Sequence, residues 1–88
     1  MLSSVFISGR LGEIINENYR YVEIDRVAYD NFGGGKYEVD KIPVRSMEKG
    51  RFYSYKTGSL IILKGRIEMD PELGLVVVDE IHELYESK

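Results

Sequence analysis

The chain has no cysteine and no tryptophan, and only two prolines and one histidine occur among its 88 residues. Without cysteine there are no disulfide bonds or thiolate metal sites, which is typical of proteins in a reducing compartment. The histidine, His82, has no cysteine or second histidine to form a metal site or a nucleophilic pair. We therefore expect no metal centre and no enzymatic activity, and we expect His82 to lie at the surface or in an interface.

Long hydrophobic runs are also missing. The longest, Leu60–Leu63, has four residues, whereas a membrane span needs about 18. The first residues, MLSSVFISGR, have neither the basic start nor the apolar stretch of a signal peptide. We expect a cytoplasmic protein that does not contact a membrane.

Short apolar or alternating segments, separated by turn residues, run through the whole chain, and its length fits one domain, residues 1–88. Alternation places Val22 and Ile24 of the second segment on one face and Tyr21 on the other. In the third segment Tyr37 likewise falls opposite Ile42 and Val44, so both tyrosines should face outward. The predicted strands are Ser3–Leu11, Tyr19–Tyr29, Lys36–Arg45, Leu60–Glu68 and Leu75–Leu84. A short helix or irregular turn is predicted in Met47–Thr57. We expect Phe6 to belong to the core.

Five strands with one crossing segment between the third and the fourth predict an all-β, five-stranded OB-fold barrel with Greek-key topology. An SH3-like barrel also has five strands, but it lacks a substantial crossing segment at that point. Gly9 and Gly65 lie inside strands, where a barrel needs glycine for sharp coiling or close backbone approach. Gly33-Gly34-Gly35 lacks the Lys-Ser or Lys-Thr pair and the helix of a phosphate-binding loop, so no nucleotide cofactor is expected.

Four blocks of the sequence resemble the bacterial single-stranded DNA-binding protein family, in the family's order and approximate spacing. They are Val5–Leu11 with its Gly-Arg-Leu ending, Ile42–Val44, the stretch from Thr57 to Ile67, and Val76–Leu84. The resemblance implies an OB-fold that binds single strands without catalysis in DNA replication or recombination. The family's long hairpin between strands four and five is here only Met69–Gly74. The chain is therefore similar in size to primosomal replication protein B or to phage and plasmid strand binders.

Aromatic and basic residues supply the candidate binding site, because bases stack on rings and phosphates attract cations. The aromatic candidates cluster in the second and third strands and their connection, and the basic candidates are spread along the chain. Arg10 and Arg66 end similar Gly-Arg motifs, which suggests adjacent strands that present two guanidinium groups to a nucleic-acid backbone. The candidates are Arg10, Tyr19, Tyr21, Arg26, Tyr29, Phe32, Lys36, Tyr37, Lys41, Lys64 and Arg66.

The net charge of −3 opposes phosphate binding, so strand binding is expected to be weak or sensitive to salt. Four carboxylates, Glu23, Asp25, Glu38 and Asp40, share strands with the stacking candidates. An alternative is therefore a protein-interaction module, an OB-fold adaptor that docks on a replication or conjugation protein. RNA is a further alternative to DNA, because nothing in the sequence identifies a contact to the 2′-hydroxyl. We also expect a homodimer or homotetramer, formed by pairing barrel edges.

Overall fold

A computed structural model describes residues 4–86 as five strands and one short 3₁₀ helix. The strands are β1 Val5–Ile14, β2 Tyr19–Tyr29, β3 Gly35–Arg45, β4 Leu60–Asp70 and β5 Gly74–Tyr85, and the 3₁₀ helix is Arg51–Ser54. The five predicted strands are thus confirmed, although the first residue predicted for strand one, Ser3, lies outside the described residues. None of the helical structure in residues 4–86 is long and apolar enough to cross a membrane.

The strands close into a barrel in the order β1-β2-β3-β5-β4. All neighbours pair antiparallel except β3 and β5, which pair in parallel through Val44↔Val77 and Arg45↔Val78. This is the predicted OB-fold, with the 3₁₀ segment at the predicted crossing between strands three and four. The hairpin between β4 and β5 turns within Pro71, Glu72 and Leu73, which is shorter than the predicted Met69–Gly74 because the strands include Met69, Asp70 and Gly74.

Alternating residues of the strands fill the barrel. The buried core includes Ile7 and Leu11 from β1, Val22 from β2 and Val44 from β3. The expectation that Phe6 belongs to this core is wrong: its side chain is 76% exposed. Because neighbouring residues in a strand point to opposite faces, the inward position of Ile7 directs Phe6 outward.

Gly9 and Gly65 lie where strands approach closely, which confirms the structural role predicted for them. A Cβ atom at Gly9 would collide with the carbonyl oxygen of Glu23, and one at Gly65 with that of Val78. In both cases the obstacle is backbone of the neighbouring strand, which cannot move without disturbing the barrel.

One end of the barrel, the Phe52 end, is closed by the 3₁₀ segment. The Phe52 side chain is 3% exposed and joins the core. Beside it, the buried Arg20 guanidinium donates hydrogen bonds to the carbonyl oxygens of Gly12 (2.8 Å), Phe52 (2.7 Å) and Tyr55 (2.6 Å) and to the Thr57 hydroxyl (2.9 Å). Desolvation lowers the pKa of Arg20, but an arginine remains charged at neutral pH. Arg20 therefore fastens the crossing segment to the barrel wall.

Candidate nucleic-acid interface

Three of the predicted tyrosines share the outer face of β2 and β3. Tyr21 lies opposite Pro43, Tyr37 opposite Val27, and Tyr29 opposite Gly35. From Asp25↔Val39 onward the two strands extend past their neighbours as a two-stranded ribbon, residues 25–39, which we call the arm. On the arm the rings of Tyr29 and Tyr37 are 78% and 84% exposed. The alternation in the sequence predicted the outward positions of Tyr21 and Tyr37 correctly.

Arg10 of β1 reaches the same outer face, where a carboxylate binds it. Its Nη1 lies 2.6 Å from Asp25 Oδ2 and its Nη2 lies 2.9 Å from Oδ1, while Glu23 is 3.8 Å away. The hydrogen bond with Asp25 raises the pKa of Arg10 and lowers the pKa of Asp25. The guanidinium is therefore largely occupied before any phosphate arrives.

Lys41 is a second cation on this face, and it forms no ion pair with any residue in 4–86. It lies opposite Glu23 in the β2–β3 register. Arg10 and Lys41 thus balance Glu23 and Asp25, and Arg45, which has the same outward phase on β3, pairs with Glu68, so these six groups have no net formal charge. Such a face attracts a phosphate backbone weakly, whereas its exposed rings can still stack on bases.

Arg26 and Lys36 lie on the opposite face of the arm, away from the tyrosines. Arg26 donates to Asp40 at 2.7 Å and to Glu38 at 2.5 Å, and Lys36 lies 3.4 Å from Glu38. These ion pairs give the arm one charged face and one aromatic and apolar face. Arg26 and Lys36 therefore do not belong to the tyrosine face.

Phe32 is displayed at the tip of the arm and is 95% exposed. The Asp30 carboxylate accepts hydrogen bonds from the backbone N–H of Phe32 (2.9 Å) and of Gly34 (2.8 Å). Gly33 has φ of 81°, a left-handed conformation that glycine adopts without strain. The turn thus holds Phe32 in solvent, at the end of the ribbon that carries Tyr29 and Tyr37.

Tyr19 is held elsewhere, by a hydrogen bond from its hydroxyl to Asp70 Oδ2 at 2.7 Å. This bond raises the pKa of Tyr19 and lowers the pKa of Asp70. Tyr19 therefore ties the start of β2 to the β4–β5 turn, and its hydroxyl is already engaged.

Lys64 and Arg66 lie on β4, outside the tyrosine face. Arg66 pairs with Glu68 at 2.9 Å and lies 3.8 Å from Glu80. Arg10 and Arg66 lie on adjacent strands, as predicted, but Arg10 pairs with Leu60, at the other end of β4. Six residues of strand separate the two positions, which is about 20 Å.

His82 is half-buried, and only 7% of its side chain is exposed. Its Nδ1 lies 2.5 Å from Asp79 Oδ2 and its Nε2 lies 3.0 Å from the Tyr55 hydroxyl. The Phe52 ring centroid is 5.9 Å from that of His82. This chain of contacts joins the crossing segment to β5, and sequence analysis missed it because the partners are far apart in the chain.

Within residues 4–86 no cluster of three or more His, Cys, Asp or Glu side chains could hold a metal ion. The geometry of the outer face is that of a binding surface: exposed rings, one unpaired lysine and an ion-paired arginine.

Among the solved structures that share this fold are three crystal structures of the mitochondrial single-stranded DNA binding protein Rim1 from S. cerevisiae. One form has 15% sequence identity and a TM-score of 0.58, covering 99% of both chains. A second form and a selenomethionine form have 16% identity and a TM-score of 0.59, covering 100% of this chain and 99% of theirs. No family model and no curated protein matches the sequence. At this identity the likeness establishes the fold, over the full length of both chains.

Proposed function

We propose that the protein binds single-stranded DNA on the outer face of β2, β3 and the arm, without catalysis. The observation that carries the proposal is the pair of exposed rings, Tyr29 and Tyr37, on one face of a ribbon that projects from an OB-fold barrel. Tyr21 continues the face on the barrel and Phe32 extends it at the tip. A role in replication or recombination, in the cytoplasm, fits this activity, as does the resemblance to short strand binders of bacteria, phages and plasmids.

Stacking rather than charge should supply most of the affinity. An aromatic platform contributes about 1–3 kcal/mol per base and tolerates any sequence. Because Lys41 is unpaired and Arg10 is held by Asp25, only one or two phosphates should be neutralised. For single strands this predicts a slope of log K against log salt between about −0.7 and −1.4. We therefore propose a shallow salt dependence, whereas the net charge alone led us to expect binding that is weak or sensitive to salt.

The test is titration of fluorescein-labelled oligo(dT) with protein, followed by anisotropy over a series of salt concentrations. Replacing Tyr37 or Tyr29 with alanine should weaken binding about 5- to 150-fold, which corresponds to the loss of one stacked base. Tyr53→Ala is the matched control, since Tyr53 is 52% exposed but lies on the 3₁₀ segment. Absence of binding at about 50 mM salt, or equal losses in all three variants, would contradict the proposal.

The ion pairs on the arm favour a second candidate function, the protein-interaction module. Carboxylates already neutralise Arg10 and Arg26. A nucleic acid needs free cations for its phosphates, so this neutralisation lowers the affinity for a strand more than the affinity for a partner protein. If oligo(dT) does not bind and one partner protein co-purifies after nuclease treatment, this second function replaces the first. Matched RNA and DNA oligonucleotides in competition decide whether the strand is DNA.

We further propose that copies of the chain associate through the outer face of β1, β4 and β5. The register places Ile62 between Ser8 and Glu83 at the centre of this face. Around it lie four more exposed apolar side chains, 42–76% exposed: Phe6, Leu60, Ile81 and Tyr85. A contiguous apolar patch of this kind marks an interaction site. Lys64 and Glu83, on neighbouring strands of this face, have opposite charges, so the patch is suited to a second copy of itself.

Sedimentation equilibrium tests this association. Ile62→Glu should convert a dimer or tetramer to monomer, because it places a charge at the centre of the face. Met69→Glu, at a 72% exposed position outside the face, should leave the mass unchanged. A monomeric wild-type protein at micromolar concentration would refute the association without affecting the proposal on strand binding.

A further inference from the structure

β3 and β5 separate at the end of the barrel remote from Phe52, the open end. Their parallel pairing consists of Val44↔Val77 and Arg45↔Val78. Before these residues, positions 35–43 of β3 pair with β2 alone and positions 74–76 of β5 pair with β4 alone. Within residues 4–86, two strand edges therefore face the same opening with no β-partner.

A cleft of about 370 Å³ occupies this opening. It is lined by Ile42 and Pro43 of β3 and by Val76 of β5, and it reaches Val5 and Ile7 of β1. Leu75, at its margin, is 63% exposed. The lining is aliphatic, so an occupant gains by burying apolar side chains there.

Lys41 is the charged residue of the cleft lining. It has no ion-pair partner in residues 4–86, and its ammonium group would attract an anion that entered the cleft. The site thus combines unpaired backbone edges, aliphatic walls and a cation at the rim.

We propose that this cleft binds an extended peptide segment of a partner protein, which adds a strand between β3 and β5. Backbone groups on the two free edges would pair with the peptide, as in other cases of strand addition. Alternate side chains of a strand point the same way, so apolar residues would enter the cleft while an aspartate or glutamate meets Lys41. The inference shares only Lys41 with the proposed strand-binding face and uses none of the tyrosines.

Other occupants fit the cleft less well. A nucleobase would find no aromatic ring among the lining residues, and its polar edges would lie against aliphatic side chains, which is unfavourable. The β3 edge of a second copy would bring its own Lys36 and Lys41 towards Lys41, and like charges repel.

The probe is a phage-displayed library of random octapeptides, selected on the full chain. Enriched peptides should alternate β-branched or leucine residues with other positions and carry one acidic residue. A synthetic enriched peptide, added to isotope-labelled protein, should shift the amide resonances of residues 41–43 and 74–77. Leu75→Glu and Lys41→Glu should each weaken its binding about tenfold or more.

Met47→Glu is the matched control, because Met47 is a 62% exposed apolar residue outside both the cleft lining and the association face; this variant should bind the peptide as the wild type does. All variants change exposed positions, and their amide spectra report whether they fold. The proposal is overturned if no peptide is enriched, if enriched peptides bind Leu75→Glu and wild type equally, or if oligo(dT) rather than peptide shifts the cleft amides. Oligo(dT) binding should be unchanged in Leu75→Glu, so a result that refutes peptide binding would leave the proposed strand binding intact.

Discussion

The two ends of the barrel are finished in different ways. At the Phe52 end a ring and a buried arginine close the interior, with Arg20 hydrogen-bonded to three carbonyl oxygens and a hydroxyl. At the open end β3 and β5 diverge, and an aliphatic cleft remains between them. The contrast separates stability from binding: packing and hydrogen bonds at the Phe52 end stabilise the barrel, whereas the open end exposes apolar surface and unpaired strand edges to a partner.

The largest loss of stability is expected for Phe52→Ala at the Phe52 end. Removing a fully packed aromatic ring leaves a cavity that the barrel cannot fill, and such changes lower the free energy of unfolding by about 3–5 kcal/mol. Urea denaturation of the variant and of Tyr53→Ala, its exposed neighbour, measures the effect. A loss below about 1 kcal/mol for Phe52→Ala would mean that the 3₁₀ segment does not close the barrel.

Arg20→Met should cost about 2–4 kcal/mol, a somewhat smaller loss. Methionine retains the apolar stem, but the carbonyl oxygens of Gly12, Phe52 and Tyr55 lose their donor inside the protein. Thermal unfolding followed by circular dichroism measures the change. Arg45→Met, whose guanidinium is partly exposed and pairs with Glu68, should cost less than 1 kcal/mol or so. Equal losses in the two variants would show that the buried hydrogen bonds of Arg20 contribute no more stability than the Arg45–Glu68 ion pair.

The same contrast explains what the sequence could predict. Alternation assigned the outward positions of Tyr21 and Tyr37 correctly, because it depends only on local geometry. The phase of β2 also puts Arg20 on the inward face with Val22, a signal that sequence analysis overlooked.

The alternation of residues along the chain could not predict contacts between segments that are distant in sequence. The Arg10–Asp25 pair depends on the register between β1 and β2, which includes a shift between Leu11 and Ile14. The burial of His82 depends on Phe52 and Tyr55, which arrive from the crossing segment. Contacts formed by tertiary packing do not appear as a periodic pattern in the sequence.

At the open end, Leu75→Ala should change the free energy of unfolding by no more than about 0.5 kcal/mol. The Leu75 side chain is 63% exposed, so its truncation removes little buried surface. Urea denaturation beside Phe52→Ala gives the direct comparison of the two ends. A loss above about 1.5 kcal/mol would indicate that Leu75 is packed in solution, against a second copy or a closed cleft.

The smallest effect concerns the β4–β5 hairpin, which supplies one wall of the open end. Asp70 fixes this hairpin: its carboxylate accepts hydrogen bonds from the Tyr19 hydroxyl and from the backbone N–H of Leu73 and Glu72. These bonds, of which that of Tyr19 has the largest effect, hold the pKa of Asp70 below its ordinary value.

A carboxyl whose pKa is lower in the folded state stabilises the fold above its unfolded pKa of about 3.9, and the contribution disappears as pH falls through the folded value. Asp70→Asn should therefore flatten the dependence of stability on pH below about pH 4 and leave the remaining slope, to which Asp25 contributes, in place. The measurement is urea denaturation of the wild type and the variant over a pH series, with Tyr19→Phe expected to fall between the two. Parallel curves for the wild type and Asp70→Asn would show that the hairpin is held by packing alone, and the wall of the cleft would then owe nothing to the Tyr19–Asp70 contact.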